Sequence, residues 1–134
     1  MTETESINNS RLIPSIIITS ILVLGSILSF IHIKIALSIA SILFIVGHLI
    51  AIIYALVSKS MDKKEKLVIL LISVFPLIFF AFMINHWPGG SILRVLMFLP
   101  IGTFIFVSFR MINRLKYEFP FLGIMALYIL LMVL

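Results

Sequence analysis

His48 is the one ionisable side chain lying deep inside an apolar stretch of this sequence. It sits about 13 residues, or ~20 Å of helix, from the Lys34 end of its run. An imidazole gains and loses a proton near neutral pH, and ionisable groups inside a membrane are functional candidates by default. Yet a neutral histidine is far cheaper to bury than a carboxylate or an ammonium, and one hydrogen bond across a bundle would satisfy it. No acid falls at the same depth, so the weight rests on a satisfied polar residue. His86 lies in the break Asn85-His86-Trp87-Pro88-Gly89-Gly90-Ser91, and Arg94 follows just inside the next run. Together they could bind an anionic headgroup or substrate. The plainer reading has His86 satisfying a turn and Arg94 snorkelling to the headgroups. A bis-histidine haem between His32 and His86 is disfavoured, since both lie at the boundary.

Pro76 and Pro100 each stand about ten residues from that turn, a shared depth near the middle of the hairpin. Each removes a helical hydrogen bond and frees the carbonyl four residues earlier, at Ile72 and Leu96. Transporters build sites from such freed carbonyls, and structural bundles use the same kinks for packing; packing is the preferred reading here. Small residues at Ala40, Gly47, Ala51 and Ala55 form a stripe that suits close contact with the first helix, or a dimer interface. No Gly-rich phosphate loop, Ser/His/Asp order or HExxH string occurs, and cysteine is absent. No catalytic residue, metal or cofactor is expected, and the chain is read as not an enzyme.

The elements that carry these residues are five apolar runs: Leu12–Ile31, Ile35–Val57, Leu67–Ile84, Ser91–Phe109 and Phe119–Leu134. Hydrophobic residues make up 63% of the chain and charged ones 11%, too few to cover a soluble globule. A crossing needs ~20 apolar residues, which four runs reach or approach. The expected fold is an all-α polytopic transmembrane bundle of five helices, or four if the last does not span. Residues 1–11 are a short tail ahead of the helical domain 12–134. The first run is too long for a secretory signal and carries Glu3 and Glu5 before it, so it reads as a retained anchor. The last run begins at Tyr117-Glu118-Phe119-Pro120, with proline in the first turn and an acid near the positive end of the dipole.

Charge sets the orientation. Arg11, Lys59, Lys63, Lys64, Lys66, Arg110, Arg114 and Lys116 fall on one side, and Lys34 and Arg94 on the other. The richer side belongs in the cytoplasm, giving N-in and C-out. Laying His32 on His86 also lays Phe44 on Phe98, so the two hairpins could be a duplication or a coincidence of apolar residues.

Trp87 suits interface depth, and Pro88-Gly89 suits a type II turn, with Gly90 adding freedom before Ser91 caps the next helix. The string Met83-Ile84-Asn85-His86-Trp87-Pro88-Gly89-Gly90 and its following helix resemble the membrane hairpin of the GldL-related small membrane proteins of Bacteroidetes. That family includes a gliding-motility and type IX secretion motor component. The resemblance runs from Lys66 to Arg110. It implies a bacterial envelope protein with a shared hairpin turn. The family's lysine falls at Met83, and its intramembrane glutamate would fall near Ile101 or Gly102, where no acid stands. A proton-driven motor is therefore not implied.

The functional expectation is a non-enzymatic accessory or scaffold subunit of a bacterial envelope complex, resident in the cytoplasmic membrane. The alternative is a small transporter or proton-coupled permease subunit using His48 and the Pro76/Pro100 kinks. Expected partners are the lipid bilayer and other membrane subunits or further copies of the chain, with no role for nucleic acid.

Overall fold

The computed structural model describes residues 3–31, 34–85 and 88–133, and every regular element among them is helical. In chain order these are α1 (Glu3–Ser29), α2 (Lys34–Val57), α3 (Lys63–Ile84), α4 (Gly90–Leu96), α5 (Phe98–Arg110) and α6 (Phe119–Val133). Four stretches are long and apolar enough to cross a membrane: Asn9–Ser29, Lys34–Val57, Lys63–Ile84 and Ser91–Arg110. The fold is an all-α polytopic bundle. Ile13, Ile17, Ile53, Leu67, Ile92 and Phe109 stand exposed on its outside, as a lipid-facing surface requires.

Helix ends differ from the apolar runs for local reasons. α1 begins at Glu3, ahead of Leu12, so the expected tail is largely helical. α3 begins at Lys63 because Asp62 caps it. The Asp62 carboxylate accepts the Glu65 N–H at 2.8 Å, and the Glu65 carboxylate accepts the Asp62 N–H at 3.0 Å. This reciprocal box satisfies two N–H groups that a helix start otherwise leaves unpaired. The same Glu65 N–H is the main cause holding the Asp62 carboxyl below its ordinary value of 3.8.

The fourth rod is interrupted at Met97, between α4 and α5. Pro100 explains the position, since it has no N–H to offer the Leu96 carbonyl. Pro76, by contrast, sits buried within an uninterrupted α3, and Pro14, half-buried, lies within an uninterrupted α1. The two midplane prolines are thus unequal: one coincides with a break and the other does not. At the preceding turn, Gly89 has φ 100° and ψ 1°, the left-handed geometry that the third position of a type II turn needs. Gly89, and not Ser91, is the N-cap of α4; it makes no side-chain cap bond, and Ser91 falls inside the first turn. His32, His86 and Trp87 lie outside the described residues.

α1 and α2 form the most extensive helix pair. A Cβ added at Gly47 would stand 2.7 Å from Leu22 Cδ2, and one at Gly25 would stand 3.3 Å from Leu43 Cβ. Ala51 and Ala55 are fully buried. The small-residue stripe of α2 therefore serves the α1 contact, where close backbone approach replaces the hydrophobic drive that lipid removes. α6 is a packed member of the bundle, resting on α1, α3 and α5 with Phe121, Leu122, Met125 and Ile129 fully buried. Its 15 residues give ~22 Å of helix, short of the ~30 Å hydrocarbon core.

Candidate functional site

The densest polar construction in the bundle is a ring of charges at the end where α1 and α6 begin and α2 finishes. Arg11, on α1 just before the apolar run, is 8% exposed, Glu65 is 6% exposed and Glu118 is fully buried. Arg11 Nε donates to Glu118 Oε1 at 2.8 Å, and Tyr54 on α2 donates its hydroxyl to the same oxygen at 2.8 Å. Arg11 Nη1 stands 3.6 Å from Glu65 Oε2, while Nη2 donates to the Arg114 carbonyl at 3.0 Å. The Arg114 side chain reaches Asp62 Oδ2 at 3.3 Å on the exposed rim, and Asp62 closes the circuit through its capping box with Glu65.

Each segment arrives for a separate reason. Asp62 starts α3 and so fixes Glu65 in its first turn. Met111 and Leu115, both buried, anchor the chain reversal from α5 to α6. Backbone bonds from Glu118 and Phe119 to the Leu115 carbonyl then hold Glu118 at the mouth of α6. Tyr54 follows from the α1–α2 contact, being 8% exposed beside Ala51 and Ala55. The guanidinium can serve three acceptors because its five N–H groups lie in a rigid fork. Such a buried pair roughly breaks even against its desolvation when whole, and becomes costly when one partner is removed. Glu118 Oε2 is buried with no hydrogen-bond partner among the described residues, an acceptor left unused.

The residues singled out from the sequence are placed apart from this ring. His48 is fully buried on α2. Its Nδ1 lies 2.8 Å from the Phe44 carbonyl, an acceptor, so Nδ1 carries the proton and donates. The ring stacks at a tilt on Phe44 with centroids 4.1 Å apart, and Nε2 is buried without a hydrogen-bond partner among the described residues. Arg94 is exposed on α4. Pro100 is buried near the break, and Pro88 and Gly89 form the turn. Among the described residues no hydrogen bond or ion pair joins His48, Arg94 and the prolines to one another. Nor is any group of three or more His, Cys, Asp or Glu residues there placed to hold a metal ion.

The ring itself escaped the sequence reading. Arg11 and Glu118 each read as a charge flanking an apolar run, the first a topology marker and the second a dipole partner. They lie 107 positions apart, with nothing local to pair them. The usable signal was their abutment: each is followed at once by Leu12 or Phe119, leaving little room to reach water.

No protein-family model, curated protein or solved structure matches this chain.

Proposed function

We propose that the chain is a non-enzymatic accessory or scaffold subunit of a membrane complex, held in the bacterial cytoplasmic membrane with its N-terminus inside. One observation carries this reading. Apart from the ring, the buried polar side chains among the described residues are Ser15, His48 and Ser73. Ser73 turns its hydroxyl to Met125 Sδ at 3.6 Å, and His48 turns its Nδ1 to its own helix. A path for a polar solute would need a succession of polar groups across the bundle, and the interior between the ring and the far end offers little of one. The ring instead fastens α1, α2, α3 and α6 together at one end. That suits a rigid body presenting apolar flanks to lipid and to neighbouring subunits. The GldL-like turn fits an envelope setting, and the eight-to-two division of cations supports N-in.

The unpaired Nε2 of His48 favours the second reading, a proton-coupled permease subunit. The two are separated by affinity purification of the tagged chain in mild detergent, with identification of co-purifying proteins. Stoichiometric membrane subunits, unchanged by His48→Gln, are the result expected of a scaffold. A chain recovered alone, whose His48→Gln variant loses a pH-dependent transport phenotype at normal protein level, would establish the permease.

A further inference from the structure

Beside the ring, on its outer flank, a groove of about 500 Å³ opens between α3 and α5. Its upper wall carries Lys64, Arg110 and Arg114, and its lower wall Leu67, Val68 and Phe106. We infer that this groove is a binding site for one anionic glycerophospholipid, its phosphate on the three cations and an acyl chain along the apolar wall. The inference rests on the membrane reading above and adds a ligand to it.

Placement and charge both point to a lipid. Lys64 lies in the first turn of α3 and Arg110 in the last turn of α5, so the cations mark the end of the spans, where headgroups lie. Arg110 and Lys64 are exposed and make no ion pair among the described residues, whereas Arg114 is engaged with Asp62 at 3.3 Å. Three cations against that single carboxylate leave an excess of two positive charges, enough for a phosphodiester. Directly beneath, Leu67 is 56% exposed and Phe106 is 55% exposed. They follow Lys64 and precede Arg110 by about one helical turn, which puts an apolar surface ~5 Å below the cations. A free phosphate would use the upper wall and leave the lower one idle. A glycerophospholipid uses both. Basic pockets between helices at the cytoplasmic face hold headgroups in this way.

The test is a lipid titration of the purified full chain in a neutral detergent, read as bound adducts by non-denaturing mass spectrometry. Phosphatidylglycerol is expected to bind at least about tenfold more tightly than phosphatidylcholine. Lys64→Gln with Arg110→Gln should weaken phosphatidylglycerol about 30-fold, which is about 2 kcal/mol at 1.4 per decade, or about 1 per cation. Lys64→Arg with Arg110→Lys should keep the preference. The comparison pair Lys59→Gln with Lys63→Gln, on exposed lysines outside the groove, should leave it intact. Three results would overturn the proposal: equal affinity for the two lipids, an equal loss in the comparison pair, or displacement of phosphatidylglycerol by inorganic phosphate at matched concentration. Cell fractionation separates this failure from failure of the membrane reading. A chain in the membrane fraction without lipid preference refutes the site alone; a chain in the soluble fraction refutes both.

Discussion

Glu118 Oε1 receives Arg11 from α1 and Tyr54 from α2, so one carboxylate oxygen joins three helices. Arg11 in turn faces two buried carboxylates, Glu118 and Glu65. Arg11→Met should therefore destabilise the bundle by about 3–5 kcal/mol, the cost of leaving buried charge uncompensated. Changing Arg11 and Glu118 together to apolar residues of similar size should recover much of that loss. Unfolding in mixed detergent micelles measures both, and a single variant as stable as the parent would show that the ring holds nothing. The Arg114–Asp62 arm is exposed, and its removal should cost far less than that of Arg11, as for surface pairs in general. His48 calls for a smaller effect: His48→Leu should cost at most ~1–2 kcal/mol, the scale of one hydrogen bond in lipid. His48 was legible because an imidazole in an apolar run stands out by type. Arg11 and Glu118 were not, because pairing across the whole chain leaves no mark in local spacing.

Among the elements, α2 follows its apolar run almost residue for residue, Lys34–Val57 against Ile35–Val57, since the run holds no proline to interrupt it. α3 outran its apolar stretch because the Asp62–Glu65 box nucleates it among lysines, a signal carried by four residues and hidden under the charge count. That box gives a pH prediction. Asp62 has its carboxyl lowered in the folded state, so its stabilising effect is fully present above 3.8 and is lost as the pH falls through the lower folded value. Protection of the amides at the start of α3, taken relative to the intrinsic exchange rate at each pH, should fall on acidification below that range in the parent chain, whereas Asp62→Ala should show low protection at neutral pH already. Pro100→Ala restores an N–H for the Leu96 carbonyl and should close the interruption at Met97 with equal or greater stability. If the variant fails to fold, the break is needed to seat Met97, which is 1% exposed, against its neighbours. The pairing of Pro76 with Pro100 was an inference from depth, and depth alone does not say whether neighbours reseal a helix around its proline. Gly47→Leu should separate α1 from α2, since even one added carbon meets Leu22; overpacking of this kind costs about 1–3 kcal/mol.

For the molecule as a whole, hydropathy made the all-α polytopic class plain, because apolar runs of this length have few other homes. Which faces meet was less legible; the stripe at Gly47, Ala51 and Ala55 pointed to α1 or to a second copy, and close contact with Leu22 decides for α1. The ring, the lysine-rich loop and the groove of Lys64, Arg110 and Arg114 share one end of the bundle, the end proposed to face the cytoplasm. A chain without cysteine permits a direct measurement of that claim. Single cysteines at Asn85 and Ser60, introduced separately, are probed in intact spheroplasts with a membrane-impermeant thiol reagent. Asn85→Cys should label at once, and Ser60→Cys should stay protected until the membrane is opened. Labelling of Ser60→Cys with protection of Asn85→Cys would put the ring and its cations on the outer face and contradict the account.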